Sequence, residues 1–216
     1  EKNIYFVIKS LKKISEKIKD IEFILVNNGS TDNSKKVFDK ILKKENKKKF
    51  KYYAIKKNIG YGHGIKFGLG KANGNYLAWT HSDMQTDPMD VIKAIKIIKK
   101  KKTLNLFIKG KRQKRNSKEI MQTKAMEYIS SFFLNIKIKD INAQPKVITK
   151  SFYNKYLKNF APNDLSLDLF AYYFALKRKY KIYEINVLFK KRKYGETKGG
   201  GEGGSFLAKL KLIFVT

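Results

Sequence analysis

Residues 79–90 read Trp-Thr-His-Ser-Asp-Met-Gln-Thr-Asp-Pro-Met-Asp, an apolar run that ends in a cluster of acceptor side chains. His81, Asp83 and Gln85 alternate, so along an extended backbone all three face one side. Such a set suits a magnesium or manganese ion bound to a diphosphate, because phosphate oxygens and water complete the shell and one or two protein carboxylates suffice. Asp83 alone can anchor the ion, with Gln85 and His81 as further ligands, and an imidazole suits manganese better than magnesium. Asp87 has a different role: with Pro88 after it and Asp90 three residues on, it has the pattern of a helix N-cap.

Three other turns carry groups that meet ligands. "NNGSTDNS" offers Asn27, Asn28 and Asp32, whose short polar side chains and nearby free N–H groups suit a nucleotide base or ribose, or else simply cap the next helix. "NIGYGHG" has glycines at 60, 62 and 64 that permit close backbone approach, without the full dinucleotide fingerprint, and His63 reads as a surface turn residue. "KGKRQKRNS" sets Arg112 and Arg115 just after a strand, as a phosphate clamp or a solvated basic loop.

The elements that must position these groups follow from periodicity. Ile4, Val7, Ile8, Leu11, Ile14 and Ile18 recur at helical spacing, which predicts an amphipathic helix over 3–18. Strands are expected at 21–26, 51–56, 76–80 and 104–110, with helices at 34–45, before Asn73-Gly74 and after Pro88. Successive βαβ units predict a Rossmann-like α/β domain, its mostly parallel sheet covered by helices on both faces. Ligands of such sheets bind beyond the carboxyl ends of the strands, which gathers the four turns on one rim. From 118 the pattern becomes α+β: a helix over 118–135, an irregular segment at 139–145, two more helices, a strand over 181–190, a glycine-rich loop and an amphipathic segment at 205–216. Doubly wound domains open on a strand, whereas this chain opens in a helix, as expected of a sequence truncated at its N-terminus.

The 216 residues, 42% hydrophobic, suffice for one domain with a buried core. The lack of cysteine excludes a disulfide framework and a Cys-ligated zinc site. A net charge of +31 points to a polyanion, yet only Arg112, Arg115, Arg178 and Arg192 among the 49 basic residues are arginine, on which nucleic-acid readers rely. Lysines spread through nearly every segment read as a compositional habit, and no nucleic-acid partner is expected. No apolar run approaches the ~20 residues of a spanning helix and no signal peptide opens the chain, so a soluble or peripheral protein is expected.

Taken in order, these pieces resemble the family-2 inverting glycosyltransferases, most closely the branch similar to dolichyl- and undecaprenyl-phosphate sugar synthases. The family's Asp-Asp-Gly-Ser-Thr-Asp turn is matched by "NNGSTD", its Asn-x-Gly-x-Gly segment by "NIGYG", and its Asp-x-Asp-x-Gln with a following proline by "HSDMQTDP". An acceptor-region motif is matched by "DINAQPK", and a late Arg-x-x-Gly-x-Ser-Lys by "RKYGETK", with Thr197 in the serine's place. The resemblance implies a glycosyltransferase-A type fold, a nucleotide-sugar donor and Mg2+ or Mn2+. It puts Asn28, Asp32, Asn58, Gly60, His81 and Asp83 at the donor, and Asp83, Gln85 and His81 at the metal. Arg115, Asp140, Gln144, Lys146, Arg192 and Lys198 fall at the acceptor, and Asp83, Arg112 and Asp168 carry catalysis. Residues 1–117 are then the nucleotide-sugar-binding half and 118–216 the acceptor-binding half of a single domain. The chain departs from the pattern in having asparagines at both acidic positions of the first turn, His81 for the first carboxylate, and Glu1 as all that remains of the opening strand.

The implied reaction is displacement at the anomeric carbon with inversion. A polyprenyl phosphate acceptor, with a second pKa near ~6, is already an anion at neutral pH and needs no base. A saccharide hydroxyl needs one, for which Asp168 or Asp164 is the candidate. The helix over 118–135 and the segment 205–216 suit an anionic membrane surface at the cytoplasmic face. The alternatives from other classes are a basic nucleic-acid-binding domain and a non-catalytic homologue.

Overall fold

The computed structural model describes residues 1–192 and 194. Helix α1 (Ile4–Lys17) buries Ile4, Val7, Ile8, Leu11 and Ile14, the stripe its spacing dictates. Strand β1 (Phe23–Asn28) alternates, with Phe23, Leu25 and Asn27 inward, and leads through α2 (Ser34–Leu42) to β2 (Phe50–Ile55), which pairs with it in parallel. Helix α3 (Tyr61–Lys71) returns the chain to β3 (Tyr76–Trp79), lying so close to β1 that a side chain at Gly68 would press on Val26. A 3-10 turn (Pro88–Asp90) enters α4 (Val91–Lys101), followed by β4 (Leu106–Gln113) and α5 (Ser117–Leu134). The last third adds β5 (Lys146–Thr149), α6 (Lys150–Phe152) running into a π turn (Tyr153–Leu157), α7 (Leu167–Lys177) and β6 (Lys181–Leu188).

The α/β class is as expected, and the strands form two sheets, β1-β2 and β3-β5-β4-β6. The β1/β2 and β4/β6 pairs are parallel, while β5 is antiparallel to both neighbours. Three local expectations are corrected. Strand β5 was not foreseen: its four residues are all buried and show no alternation. Strand β4 continues to Gln113, so Arg112 projects from a strand rather than a loop. The 81–85 segment is not extended, since Met84 takes a φ of 60° and the Gln85 N–H donates to Asp83 Oδ1 at 3.1 Å, turning the chain. The predicted cap is present: Asp87 Oδ1 accepts from the Met89 N–H at 2.9 Å.

The main core lies between the four-stranded sheet and α7, where Phe107, Phe152 and Tyr172 meet Leu77 and Ile148. Each such ring or aliphatic side chain contributes about 1.5–3 kcal/mol by leaving water. A second cluster joins α1 to β1 and β2, and a third lies under α4. Among the described residues no helix is long and apolar enough to cross a membrane. Lys198, Thr197 and the segment 205–216 lie outside the described residues.

Candidate active site

The turn after β3 is laced to the segment after β6. Arg192 Nη2 donates to Asp83 Oδ2 at 2.8 Å and to Gln85 Oε1 at 3.4 Å. The Lys190 N–H donates to the Gln85 carbonyl at 2.8 Å, and Gln85 Nε2 donates to the Lys190 carbonyl at 3.3 Å. Two residues assigned to the metal and one assigned to the acceptor thus form one cluster.

Behind this rim lies a buried network centred on Asp168. Its Oδ1 accepts from Trp79 Nε1 and Lys146 Nζ, each at 3.0 Å, and its Oδ2 from Gln144 Nε2 at 3.0 Å and the Tyr61 hydroxyl at 3.1 Å. Burial opposes the charge on Asp168, but Lys146 above all, with the Trp79 N–H, outweighs it and holds the carboxyl below the usual carboxylate range. Burial, with Asp168 beside it, raises the Tyr61 hydroxyl well above its ordinary range, so it remains a neutral donor. The Tyr61 oxygen also lies 2.8 Å from His81 Nε2. Because the single hydroxyl proton goes to Asp168, His81 Nε2 carries a hydrogen and donates it to Tyr61, leaving Nδ1 as the imidazole's acceptor. Burial lowers the His81 pKa, which keeps the ring neutral.

A second charged group joins β4 to α5. Asp140 Oδ2 accepts from the Arg112 backbone N–H and Oδ1 from Arg112 Nε, both at 2.7 Å, while Arg115 Nη1 donates to Thr123 Oγ1 at 2.6 Å and lies 4.0 Å from Asp140. Burial works against the Asp140 charge, yet Arg112 holds the carboxyl below its ordinary pKa. Gly110 lets the backbone at Gln144 lie against β4, since a Cβ there would collide with the Gln144 carbonyl.

At the end of β1, Asn28 Nδ2 donates to the Gly60 carbonyl at 2.9 Å and to Asn58 Oδ1 at 3.2 Å. Asn28 Oδ1 and Gln144 Oε1 are buried acceptors with no hydrogen-bond partner among the described residues, which marks them for a ligand's N–H or O–H. Asp32 serves as a cap: Oδ1 accepts from the Ser34 N–H at 3.0 Å and Oδ2 from the Glu1 amine at 2.9 Å, and Ser34, then the amine, hold its pKa at about 2.

A cleft of about 1610 Å³ brings together Asn28, Asp32, His81, Asp83, Gln85, Arg112, Gln144, Asp168 and Arg192. Asn58 and Gly60 open with Asn28 and Asp164 onto a smaller recess, while Arg115, Asp140 and Lys146 stand behind the cleft walls. Lys198 cannot be placed, lying outside the described residues. Tyr61, Trp79 and Thr123 were missed by sequence reasoning; the lone tryptophan beside His81, and a tyrosine within the glycine turn, were the available signals.

The donor set fits a divalent ion of one kind. Among the described residues no group of three or more His, Cys, Asp or Glu side chains forms a closed cage. One carboxylate, one amide oxygen and one imidazole lone pair suit an ion that arrives with phosphate oxygens.

The sequence profile of Glycosyl transferase family 2 matches residues 1–181. An uncharacterized protein of Methanocaldococcus jannaschii is 33% identical over 102 residues, which is 44% of this chain and 41% of that protein. Among solved structures, a Pyrobaculum calidifontis mannosyltransferase in complex with GDP-Man and Mn2+ superposes with TM-score 0.62 at 14% identity, over 88% of this chain and 54% of its own. A Mycobacterium tuberculosis glucosyl-3-phosphoglycerate synthase holding Mn2+, uridine diphosphate and glucosyl-3-phosphoglycerate gives 0.64 at 13%, over 90% and 70%. S. aureus TarS 1-349 with UDP-GlcNAc gives 0.60 at 17%, over 100% and 62%. This chain spans about two fifths of the curated relative, and these three likenesses establish the shared fold.

Proposed function

The chain belongs to glycosyl transferase family 2, and from that premise we propose that it moves a sugar, with inversion, from a nucleoside-diphosphate sugar to a polyprenyl phosphate. The observation that carries the reading is the meeting of Asp83, Gln85 and Arg192: a carboxylate and an amide oxygen for a divalent ion beside a guanidinium for phosphate. Asn28, with its unsatisfied Oδ1, accepts from the nucleotide. Asp83, with Gln85 and the Nδ1 lone pair of His81, would hold Mg2+ or Mn2+, and such an ion, when bound, neutralises charge building on the departing diphosphate. Arg192 exchanges its contact with Asp83 for a phosphate oxygen, and Arg112, at the mouth of the Asp140 pocket, faces the acceptor anion.

The sealing of Asp168 favours a phosphate acceptor. With four donors on a buried carboxylate, Asp168 positions Tyr61 and His81 and is not free to take a proton from a hydroxyl. Helix α5 supports a lipid acceptor: Thr123 on one side bonds Arg115, while Met121 (67%), Tyr128 (76%) and Phe132 (73%) face solvent on another. Apolar rings flanked by exposed lysines suit the headgroup layer at the cytoplasmic face of a membrane. Metal-dependent thermal stabilisation across a panel of nucleotide-sugars tests the donor half of the reading; no shift with any donor in the presence of Mn2+ sinks it. The rival acceptor, a saccharide hydroxyl, leaves exposed Asp164 as base; loss of transfer in Asp164→Asn would establish it over the lipid phosphate.

A further inference from the structure

Gln144 lines the cleft at 1% exposure, and both its main chain and its amide are held. Its backbone lies on Gly110, where no Cβ would fit, and the Gly110 N–H donates to the next carbonyl, that of Pro145, at 3.0 Å. Its Nε2 donates to Asp168 Oδ2 at 3.0 Å and lies 3.4 Å from the Tyr61 oxygen. Chemistry fixes which way round the amide sits. A carboxylate accepts hydrogens and gives none, and the single Tyr61 proton already goes to Asp168, so an amide turned over would set its oxygen against two acceptors. Oε1 therefore points away from this network, and it is buried without a hydrogen-bond partner among the described residues. A carbonyl oxygen in that state gains when a donor arrives.

The amide stands between two cationic stations. On one side, the Gly110 that carries its backbone lies two residues before Arg112 on β4. On the other, the amide reaches Tyr61, whose oxygen meets His81 two residues before Asp83, and Asp83 meets Arg192. The two guanidinium groups suit anions: the departing diphosphate and the incoming phosphate. Gln144 Oε1 suits neither, because an ionised phosphate oxygen has no hydrogen to give and would face the negative end of the amide dipole. What passes between two anions in such a transfer is the sugar, which is neutral and carries hydroxyls.

We infer that Gln144 Oε1 accepts a hydrogen bond from a hydroxyl of the transferred sugar and so selects which sugars the cleft takes, an assignment that rests on the nucleotide-sugar reading above. Gln144 thereby moves from the acceptor, where resemblance put it, to the donor's sugar. Asp168, which holds Nε2, aims the amide and does not itself touch the sugar. A sugar with no hydroxyl at that position leaves Oε1 buried and unpaired. Sites built around such a polar group reject the analogue far more strongly than an apolar pocket does.

Calorimetry with Mn2+ present and no acceptor tests the assignment. The probes are UDP-glucose, UDP-galactose and GDP-mannose, then the monodeoxyfluoro forms, one for each sugar hydroxyl, of whichever binds most tightly. Fluorine replaces a hydroxyl at little change in size and cannot donate. One fluorinated form should bind about tenfold or more weakly than its parent, and Gln144→Met should bring the two within about twofold of each other, because the buried acceptor is gone. If Gln144 served only to hold Asp168, Gln144→Met would weaken both alike and leave their ratio as it was, which overturns the assignment. Equal binding of the parent and every fluorinated form by a chain that holds UDP or GDP overturns it too, and leaves the donor reading standing; a chain that binds neither diphosphate overturns both. If Gln144→Met does not fold, the side-chain 15N resonance of Gln144 in the unsubstituted chain decides. The shift that the parent sugar causes should be lost with the weak fluorinated form, and equal shifts overturn the assignment.

Discussion

Two aspartates of this cleft each meet a cation, and they differ in everything else. Asp168 and Lys146 are 3% and 0% exposed, and further donors from Trp79, Tyr61 and Gln144 complete the carboxylate's shell. Asp83 and Arg192 are 13% and 28% exposed and meet where the turn after β3 touches the segment after β6. A buried pair that loses one member leaves an uncompensated charge, whereas a pair that water reaches exchanges partners at less cost because water and ions screen it. The first arrangement holds geometry; the second is suited to exchange, with a ligand as the incoming partner.

The comparison breaks most visibly at Asp168. Asp168→Ala should destabilise the fold by about 3–5 kcal/mol, read from urea unfolding, and Asp168→Leu combined with Lys146→Met should recover much of that loss. Asp168→Ala with near-unchanged stability would place this pair in the same class as the rim pair. Acid should act on the same region next. Asp168 and Asp140 have folded pKa values below their unfolded ones, so the stability they supply is fully present above about pH 4 and is lost as pH falls further; thermal midpoints from pH 7 to pH 3 should show the fall at the acid end. Tyr61→Phe removes the link between Asp168 and His81 and should lower stability by about 1–2 kcal/mol, while the His81 ring nitrogens, followed by 15N shifts, lose their single tautomer. Asp83→Asn should change stability least, by under about 1 kcal/mol, yet weaken manganese-dependent binding of a nucleoside diphosphate by about tenfold or more in calorimetry. Unaltered binding in Asp83→Asn would remove the distinction from the other side.

Legibility in the sequence followed the range of the interactions. The first four strands and their helices were readable because amphipathic spacing is local, as in Ile4–Ile14 of α1. Strand β5 was not, because Lys-Val-Ile-Thr is short, wholly buried and inserted between distant strands. Asp83 and Gln85 were found through an alternation that the backbone does not adopt; a turn at Met84 and the arrival of Arg192, more than a hundred residues away, bring them together instead. For Asp168 the residue was legible and its burial was not, although an acid within Leu-Asp-Leu-Phe-Ala-Tyr-Tyr-Phe-Ala-Leu signals a charge that must find partners inside. Those partners come from β3, α3 and the segment around β5, which local pattern cannot assemble.

The reciprocal bonds between Gln85 and Lys190 have a mechanical consequence. They lie between the end of β6 and Arg192, so tension in the chain behind Leu188 is borne by this clasp before it reaches the long β4/β6 ladder. Arg192, two residues beyond the clasp, is thereby held within reach of Asp83 at the rim of the cleft.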